Sequence, residues 1–510
     1  MTTPRSKAYF AAIDLGSNSF HMLVVRVVAG SIQIVSKIKR RVHLAAGLTD
    51  DGQLDHAAKT RALECLRIFA DRVRDIDSTH IRTVGTAAMR KIQHDSEFLQ
   101  QCEQTLGHPI EVISGCEEAA TIYQGIAHTT AFTEPMLVID IGGASTELVF
   151  GQGFNAEVLH SLDMGCVSWS KRFFASGLIS TTNTQDAIRT AQSLVERVAH
   201  KYPAARQARV LGASGTFKAL QEIAHQQGRP PHFTLPWLQA LMQQCIACGD
   251  HDSLHIDGLK DARKPVFVSG LSILIGICQS LGLTQLQATN GALREGVVYE
   301  LISRQTGAPL SPQVQRRTLA AVVASHSLDA EQAQRVHRLG QSFFRQLHQQ
   351  WQFPDNTAEL IQGVAYLHEI GLSVAYQGAS AHTHYLVQHM ELPGFSAQVR
   401  LQLAQLLAAT AGIIDDMVEA DENACHTENE SQSMRHLARI LRLAMILAQR
   451  RNDASIPEYQ LQIENERLHI EAPADFWPQN PFLLSLLDVE RARTNAPEQL
   501  TFGPHASQNT

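Results

Sequence analysis

The chain has 510 residues, of which 44% are apolar and 18% charged, and its formal net charge is −7. That length buries large cores and predicts three or four domains, while the acidic balance excludes a protein that holds nucleic acid through a surplus of Lys and Arg. Eight cysteines, mostly isolated within apolar runs such as those around Cys65 and Cys278, predict reduced buried thiols. No run approaches the roughly 18 apolar residues of a membrane span, and Met1 to Lys7 lead into a strand without a signal-peptide core, so a cytoplasmic protein with no membrane partner is expected.

The first predicted element is an apolar strand, Ala11-Ala12-Ile13, which meets the turn Asp14-Leu15-Gly16-Ser17-Asn18-Ser19 and leaves it as Met22-Leu23-Val24-Val25. The same pattern returns 126 residues later, where Met136-Leu137-Val138-Ile139 meets Asp140-Ile141-Gly142-Gly143-Ala144-Ser145 and leaves as Leu148-Val149-Phe150. Each copy reads as a β-hairpin whose small, glycine-containing turn admits an anion to backbone N–H groups. An Asp at each strand end suits a divalent cation or a water. Between the copies, strand and helix alternate: a helix over 59–74, the strand Ile81 to Gly85, a helix over 96–106, and a strand ending at Val112-Ile113-Ser114-Gly115 that gives way to a helix opened by Glu117 and Glu118. A catalytic carboxylate is expected at that junction, and Glu117 is expected to raise the pKa of Glu118 by like-charge repulsion.

After the second hairpin come a helix over 184–200, the strand Ala208 to Leu211 with the turn Gly212-Ala213-Ser214-Gly215-Thr216, and the turn Asn290-Gly291-Ala292 before Leu293-Arg294-Glu295-Gly296. Glycine turns at strand ends are frequent phosphate sites. From about Ser311 the texture is helical and rich in Gln, Leu, Ala and His. A loop is expected between Tyr376 and Phe395, an acidic mobile excursion over Ala420 to Ser433, and a small sheet-containing module over the last sixty residues.

The set of Asp14 to His21, Ser114 to Ala119, Asp140 to Glu147, Gly212 to Thr216 and Gly291 to Gly296 resembles the exopolyphosphatase and guanosine pentaphosphate phosphohydrolase (Ppx/GppA) family, within the actin, hexokinase and Hsp70 superfold. Leu367-His368-Glu369-Ile370-Gly371 and Leu392-Pro393-Gly394-Phe395 extend the resemblance through the helical half. It implies an α/β fold of two ribonuclease-H-like lobes, at 1–122 and 123–308, followed by an α-helical HD-like domain at 309–450 and a small α+β C-terminal module at 451–510. It implies roles for the acidic residues as well: Glu118 as the base that orients water, and Asp14, Asp140 and Glu147 as holders of Mg²⁺, with Asp140 and Glu147 also catalytic. Ser17, Asn18, Ser19, Gly142, Gly143, Ala144, Ser145 and Gly215 would cradle phosphate, with Arg90 and Arg263 as clamps. The substrates implied are pppGpp, converted to ppGpp in the stringent response, or inorganic polyphosphate, and the protein would be a homodimer that needs no specific nucleic acid.

Three positions depart from the family's common pattern. The second loop reads Gly-Gly-Ala where Gly-Gly-Gly is frequent, Cys116 fills a variable slot, and the HD signature reads His368-Glu369. Gly143-Ala144-Ser145, His128-Thr129-Thr130 and Ala219 to Ile223 look like the guanosine pentaphosphate branch, whereas Trp477-Pro478-Gln479-Asn480 looks like the exopolyphosphatase branch. A sugar or acetate kinase of the same superfold and a non-catalytic alarmone or polyphosphate sensor are the rival readings. The absence of a Gly-Lys dipeptide sets the Walker A class aside. Cys245 and Cys248 read as structural, His382, His384 and His389 as a solvated loop, and Arg435 to Arg451 as an amphipathic helix face. Arg294 and Glu295 read equally well as a surface ion pair or as part of the site.

Overall fold

Two copies of one strand pattern organise the first 314 residues. The computed structural model describes residues 8–49, 53–92, 95–130, 132, 134–307, 313–411, 428–464, 467–492 and 499–504, and divides into two compact units, Met1–Val314 and Gln315–Thr510. In the first unit, β1 (Tyr9–Leu15), β2 (Ser19–Val28), β3 (Ser31–Arg41), β4 (Ile81–Gly85) and β5 (Glu111–Val112) form a sheet in the order β3-β2-β1-β4-β5. A second sheet uses β6 (Pro135–Ile141), β7 (Thr146–Gln152), β8 (Asn155–Leu162), β9 (Arg209–Ala213), β10 (His232–Thr234) and β11 (Gln285–Ala288) in the order β10-β11-β9-β6-β7-β8. Matching β1 with β6, β2 with β7, β3 with β8 and β4 with β9 superposes the two orders, so the duplication spans a whole meander plus a parallel strand. Both hairpins expected from the sequence are present, β1 antiparallel to β2 and β6 antiparallel to β7.

The helix Gly115–Ala127 follows β5, and the helix Leu293–Thr306 follows β11. These two helices pack on each other and share one core with both sheets: Ile122, Ile126, Val297, Val298 and Ile302 lie against Ala12, Leu23 and Val84 on one side and Val138, Val149 and Leu211 on the other. Close approach is built in. A Cβ on Gly125 would overlap the carbonyl of Ala292, and one on Gly296 would overlap that of Thr121. The outer faces are covered separately, by the helices His56–Val73 and Ser96–Leu106 on the first sheet and by Thr181–Ala199 and Lys264–Leu281 on the second. The stretch Asp261–Leu281 is long and apolar enough to cross a membrane, contrary to the expectation that no run approaches one, but it lies within the second sheet's core.

The second unit packs the helices Ala330–Leu347, Thr357–Leu367, Ala397–Thr410 and Glu428–Leu447 around one core. The sheet of β12 (Gln460–Glu464), β13 (Arg467–Ala472) and β14 (Gln499–Pro504) adds Leu461, Leu468, Ile470 and Leu500 to that same core. The acidic stretch expected to be mobile lies outside the described residues up to position 427, and from Glu428 it is helix. The segment expected as a loop holds the helix Ala379–His389, which carries His382, His384 and His389; His384 Nδ1 contacts the Ala404 carbonyl at 3.1 Å. Among the described residues no group of three His, Cys, Asp or Glu side chains forms a ready metal site, and Cys245 and Cys248 are free thiols.

Arg435 to Arg451 is divided between solvent and core, with Arg435 and Arg450 exposed. Arg439 is fully buried, Arg442 is held by both carboxylate oxygens of Glu490 at 2.9 and 3.0 Å, and Arg451 pairs with Glu369 and with Asp329. Burial of a guanidinium requires such partners, so these arginines tie the helix to its neighbours. At the expected HD signature, His368 Nδ1 faces the Ala365 carbonyl at 2.8 Å, and the adjacent Glu369 is occupied by the Arg451 guanidinium.

Candidate active site

The two hairpin turns meet. A Cβ on Gly143 would lie 3.0 Å from Ser17 Cβ and 3.4 Å from the Asn18 nitrogen. Gly16 and Gly142 play the same part in each turn, since a Cβ there would approach the carbonyl of Ser19 at 2.9 Å and of Ser145 at 3.0 Å. Each loop is braced from behind: the Ser17 carbonyl accepts from Ala45 N–H at 2.8 Å and the Gly143 carbonyl from Val167 N–H at 2.9 Å. The N–H groups of Ser17, Asn18, Gly143 and Ala144 donate to no backbone carbonyl among the described residues. Paired, rigid loops with free donors make an anion cradle. Ser19 begins β2 beside them and is buried, its Oγ without a partner.

Four carboxylates stand around the loops. Strand register places Asp14 opposite His21, and Asp140 opposite Glu147 on one side and Ala213 on the other. The Asp14 carboxyl is pushed up to about 7, first by burial and then by Glu118 and Asp140 against the pull of Arg294, and its Oδ1 accepts no hydrogen bond. Burial likewise lifts Asp140 to about 6, with a Ser214 hydrogen bond and Arg294 opposing the rise. Glu147, 1% exposed, is raised well above the usual carboxylate range by burial and by Glu118 and Asp140, although the Ser161 hydroxyl donates to it at 2.8 Å.

Glu118 sits on the first turn of the helix Gly115–Ala127, which a capping box starts: Ser114 Oγ accepts from Glu117 N–H, and the Glu117 carboxylate accepts from Ser114 N–H at 2.8 Å. Glu117 is thereby turned to solvent and held below the usual carboxylate range. The expectation that it raises Glu118 is corrected. Glu118 rises to about 7 because it is buried, with Asp140 adding to the rise and Arg90 opposing it. Arg90 donates through Nη1 to Glu118 Oε2 at 2.8 Å and to the Ile113 carbonyl at 2.9 Å, so this cation is anchored on the carboxylate and leaves Glu118 Oε1 free.

Opposite the carboxylates lies a cluster of cations that sequence reasoning mostly missed. Arg294 and Glu295 are not a surface pair; both are buried, and Arg294 Nη1 stands 2.6 Å from His21 Nδ1. Burial and Arg294 hold His21 neutral, its pKa down at about 2, so Nδ1 accepts from the guanidinium, which also acts on Asp14 and Asp140. Asp14, His21 and Lys39 form one cross-strand row through β1, β2 and β3. Lys39 is pushed down to about 8 by desolvation and then by Arg263, Lys218 and Arg294, and Lys218 is lowered in the same way. Arg263 lies against Gly215, where a Cβ would overlap its guanidinium. No carboxylate pairs with Lys39, Lys218 or Arg263 among the described residues. Only the three-strand row and the turn after β9 bring these positions together, and no local motif announces Lys39 or Lys218.

The fold and the sequence have known relatives. A family model described as the Ppx/GppA phosphatase family matches residues 23–305, and one described as Ppx/GppA phosphatase, domain III, matches residues 314–491. Among solved structures, an exopolyphosphatase from Cytophaga hutchinsonii is 22% identical over 59% of this chain and 99% of its own, with a TM-score of 0.53. An exopolyphosphatase-like protein is 23% identical over 59% and 99%, with a TM-score of 0.52. A Ppx/GppA family member from Aquifex aeolicus is 21% identical over 58% and 98%, with a TM-score of 0.50. At these identities the three establish a shared two-lobed fold, and the sequence models that cover both units carry the assignment: the chain belongs to the Ppx/GppA phosphatase family.

Proposed function

We propose that the chain hydrolyses terminal phosphoanhydride bonds, and that its substrate is pppGpp, which it converts to ppGpp and phosphate. The observation that carries this reading is Glu118: a buried carboxyl with a pKa of about 7, one oxygen fixed by Arg90 and the other free, beside two loops of unused N–H donors. A base titrating near neutrality is well matched to taking a proton from water. The water oxygen bonds to the terminal phosphorus, the bridging P–O bond breaks, and the water's proton passes to Glu118 Oε1. The loop N–H groups of Ser17, Asn18, Gly143 and Ala144 hold the equatorial oxygens, and Arg294 offsets the charge that develops.

The carboxylate oxygens present suit Mg²⁺. Asp14 Oδ1 is buried with no hydrogen-bond partner, and Asp140 stands on the equivalent strand end, so these two, with Glu147, are the residues that would hold the ion. Mg²⁺ bound there would neutralise phosphoryl oxygens. Water and substrate oxygens would complete its ligands, since the described side chains do not form a full set.

Hydrolysis of inorganic polyphosphate is the second reading, and the unpaired Lys39, Lys218 and Arg263 favour it, because a row of cations suits a longer anion. Of the residues that resemble the guanosine pentaphosphate branch, Ala144 lies in the site, whereas the His128 ring is buried against Tyr299 and the Thr129 and Thr130 hydroxyls donate to carbonyls of their own helix. Phosphate release from purified protein with Mg²⁺, on pppGpp and on long-chain polyphosphate side by side, with Glu118→Gln as control, tests both. Faster release from pppGpp supports the first reading and faster release from polyphosphate the second. Binding of either without release, unchanged in Glu118→Gln, would leave a sensor.

A further inference from the structure

Arg294 lies in the first turn of the helix Leu293–Thr306, which packs on β1 and β2, and it is 7% exposed. Burying a guanidinium is costly unless a partner compensates it. Elsewhere in this chain that partner is a carboxylate: Arg82, 8% exposed, is held by Glu111 at 3.0 Å and by Glu300. Arg294 is held differently. Among the described residues its one hydrogen bond runs from Nη1 to Nδ1 of His21 at 2.6 Å, while the adjacent Glu295 carboxylate stands 3.9 Å away and is shared with Lys37 at 3.6 Å.

The contact fixes the state of the imidazole. Arginine has only donors, so Nδ1 of His21 must be bare, its proton is on Nε2, and the ring carries no charge. Register places His21 directly opposite Asp14, just past the loop of Ser17 and Asn18. Directly opposed residues hold their Cβ atoms roughly 4.5–5.5 Å apart, so a guanidinium bound to His21 stands at the strand end from which the first loop departs. A carboxylate at position 21 would orient the arginine equally well but would cancel the charge that a phosphoryl group draws on. An imidazole orients it and leaves that charge uncancelled.

We propose that His21 is a positioning residue: as a neutral acceptor it aims Arg294 at the phosphoryl oxygens of the bound substrate without neutralising it. The role rests on the reading of Arg294 as the group that offsets developing charge, and adds to it the residue that aims the guanidinium.

The test measures kcat/KM for phosphate release in the full-length protein, on the substrate that the parent turns over. Its variants are His21→Ala, His21→Asn, His21→Asp, Arg294→Ala and the double variant His21→Ala/Arg294→Ala. Asparagine offers a neutral acceptor close to where Nδ1 stands, aspartate a charged one, and alanine none. Misplacing a group by about 1 Å costs up to about 100-fold, so His21→Ala is expected to lose up to about that factor, His21→Asp at least as much as His21→Ala, and His21→Asn clearly less than either. In the Arg294→Ala background, removing His21 is expected to change little more, because residues that act through one contact are not additive. A full second loss in the double variant would make His21 a structural residue and overturns the proposal. So does His21→Ala with the parent's activity while Arg294→Ala is impaired, an outcome that keeps the arginine in the site. His21→Asp as active as His21→Asn overturns the need for a neutral acceptor, a comparison that stands even if alanine at 21 unfolds the sheet. Arg294→Ala with the parent's activity removes the reading of Arg294 itself, and the role of His21 with it.

Discussion

Arg90 and Glu118 face each other at 2.8 Å across the junction of β4 and β5, and the pair has one oxygen to spare. Burial raises Glu118 to about 7 and Arg90 restrains the rise, so removing the guanidinium lifts the carboxyl further. A base works when deprotonated, and the acidic limb of the pH–rate profile follows its pKa. Arg90→Gln is therefore expected to move the acidic limb of kcat/KM upward from about pH 7, with activity at pH 6 falling more than activity at pH 9. An equal loss at both pH values would assign Arg90 to phosphate contact alone.

The raised carboxylates also set how stability responds to pH. Asp14 at about 7 and Asp140 at about 6 lie above their ordinary value of 3.8, so the folded state binds more protons than the unfolded one between about pH 4 and 7. Where the folded state holds the extra protons, stability falls as pH rises. The protein without Mg²⁺ is expected to melt at a lower temperature at pH 8 than at pH 5.5, with the gap narrower in Asp14→Asn. Added Mg²⁺ is expected to raise the melting temperature more at pH 8, where the carboxylates are ionised. A slope unchanged in Asp14→Asn contradicts this account.

Much of this site was legible in the sequence, because its central pieces are local and repeated. A strand, an Asp, a small turn and a second strand suffice to define each hairpin, and the copies at Asp14 and Asp140 declare a symmetric pair. What escaped was long-range. β3 ends in Ser36-Lys37-Ile38-Lys39-Arg40-Arg41, a polar sheet edge whose Lys39 gains meaning only by its register with His21. Arg294 reads equally well as half of a surface pair or as part of the site until its partner His21 arrives from the other end of the unit. Glu117 misled for the opposite reason: adjacency in sequence suggested repulsion, and a capping box turned the side chain away.

Gly215 and Arg263 are expected to behave as one unit. A Cβ on Gly215 would overlap the Arg263 guanidinium, the flexible end of a long side chain, so Gly215→Ala displaces the cation without breaking the turn. Gly215→Ala and Arg263→Ala should each raise KM for the phosphate substrate several-fold, and the double variant should be little worse than either alone, because neighbouring changes that remove the same contact are not additive. Fully additive losses would show that Gly215 serves the fold and that Arg263 acts without it.

Arg451 sets backbone strain against side-chain pairing in the helical unit. Its φ is +52°, and its guanidinium pairs with Glu369 and, at 2.8 Å, with Asp329. Removing it leaves the largely buried Glu369 without its cation, a loss of about 1–3 kcal/mol, while glycine at this position recovers the roughly 1–2 kcal/mol of left-handed strain. Arg451→Ala is accordingly expected to lower the unfolding free energy of the chain measurably, and Arg451→Gly to lower it by about 1 kcal/mol less. If Arg451→Ala and Arg451→Gly are equally destabilised in urea titrations, the backbone at 451 relaxes once the arginine is gone, and the ion pairs alone hold it left-handed.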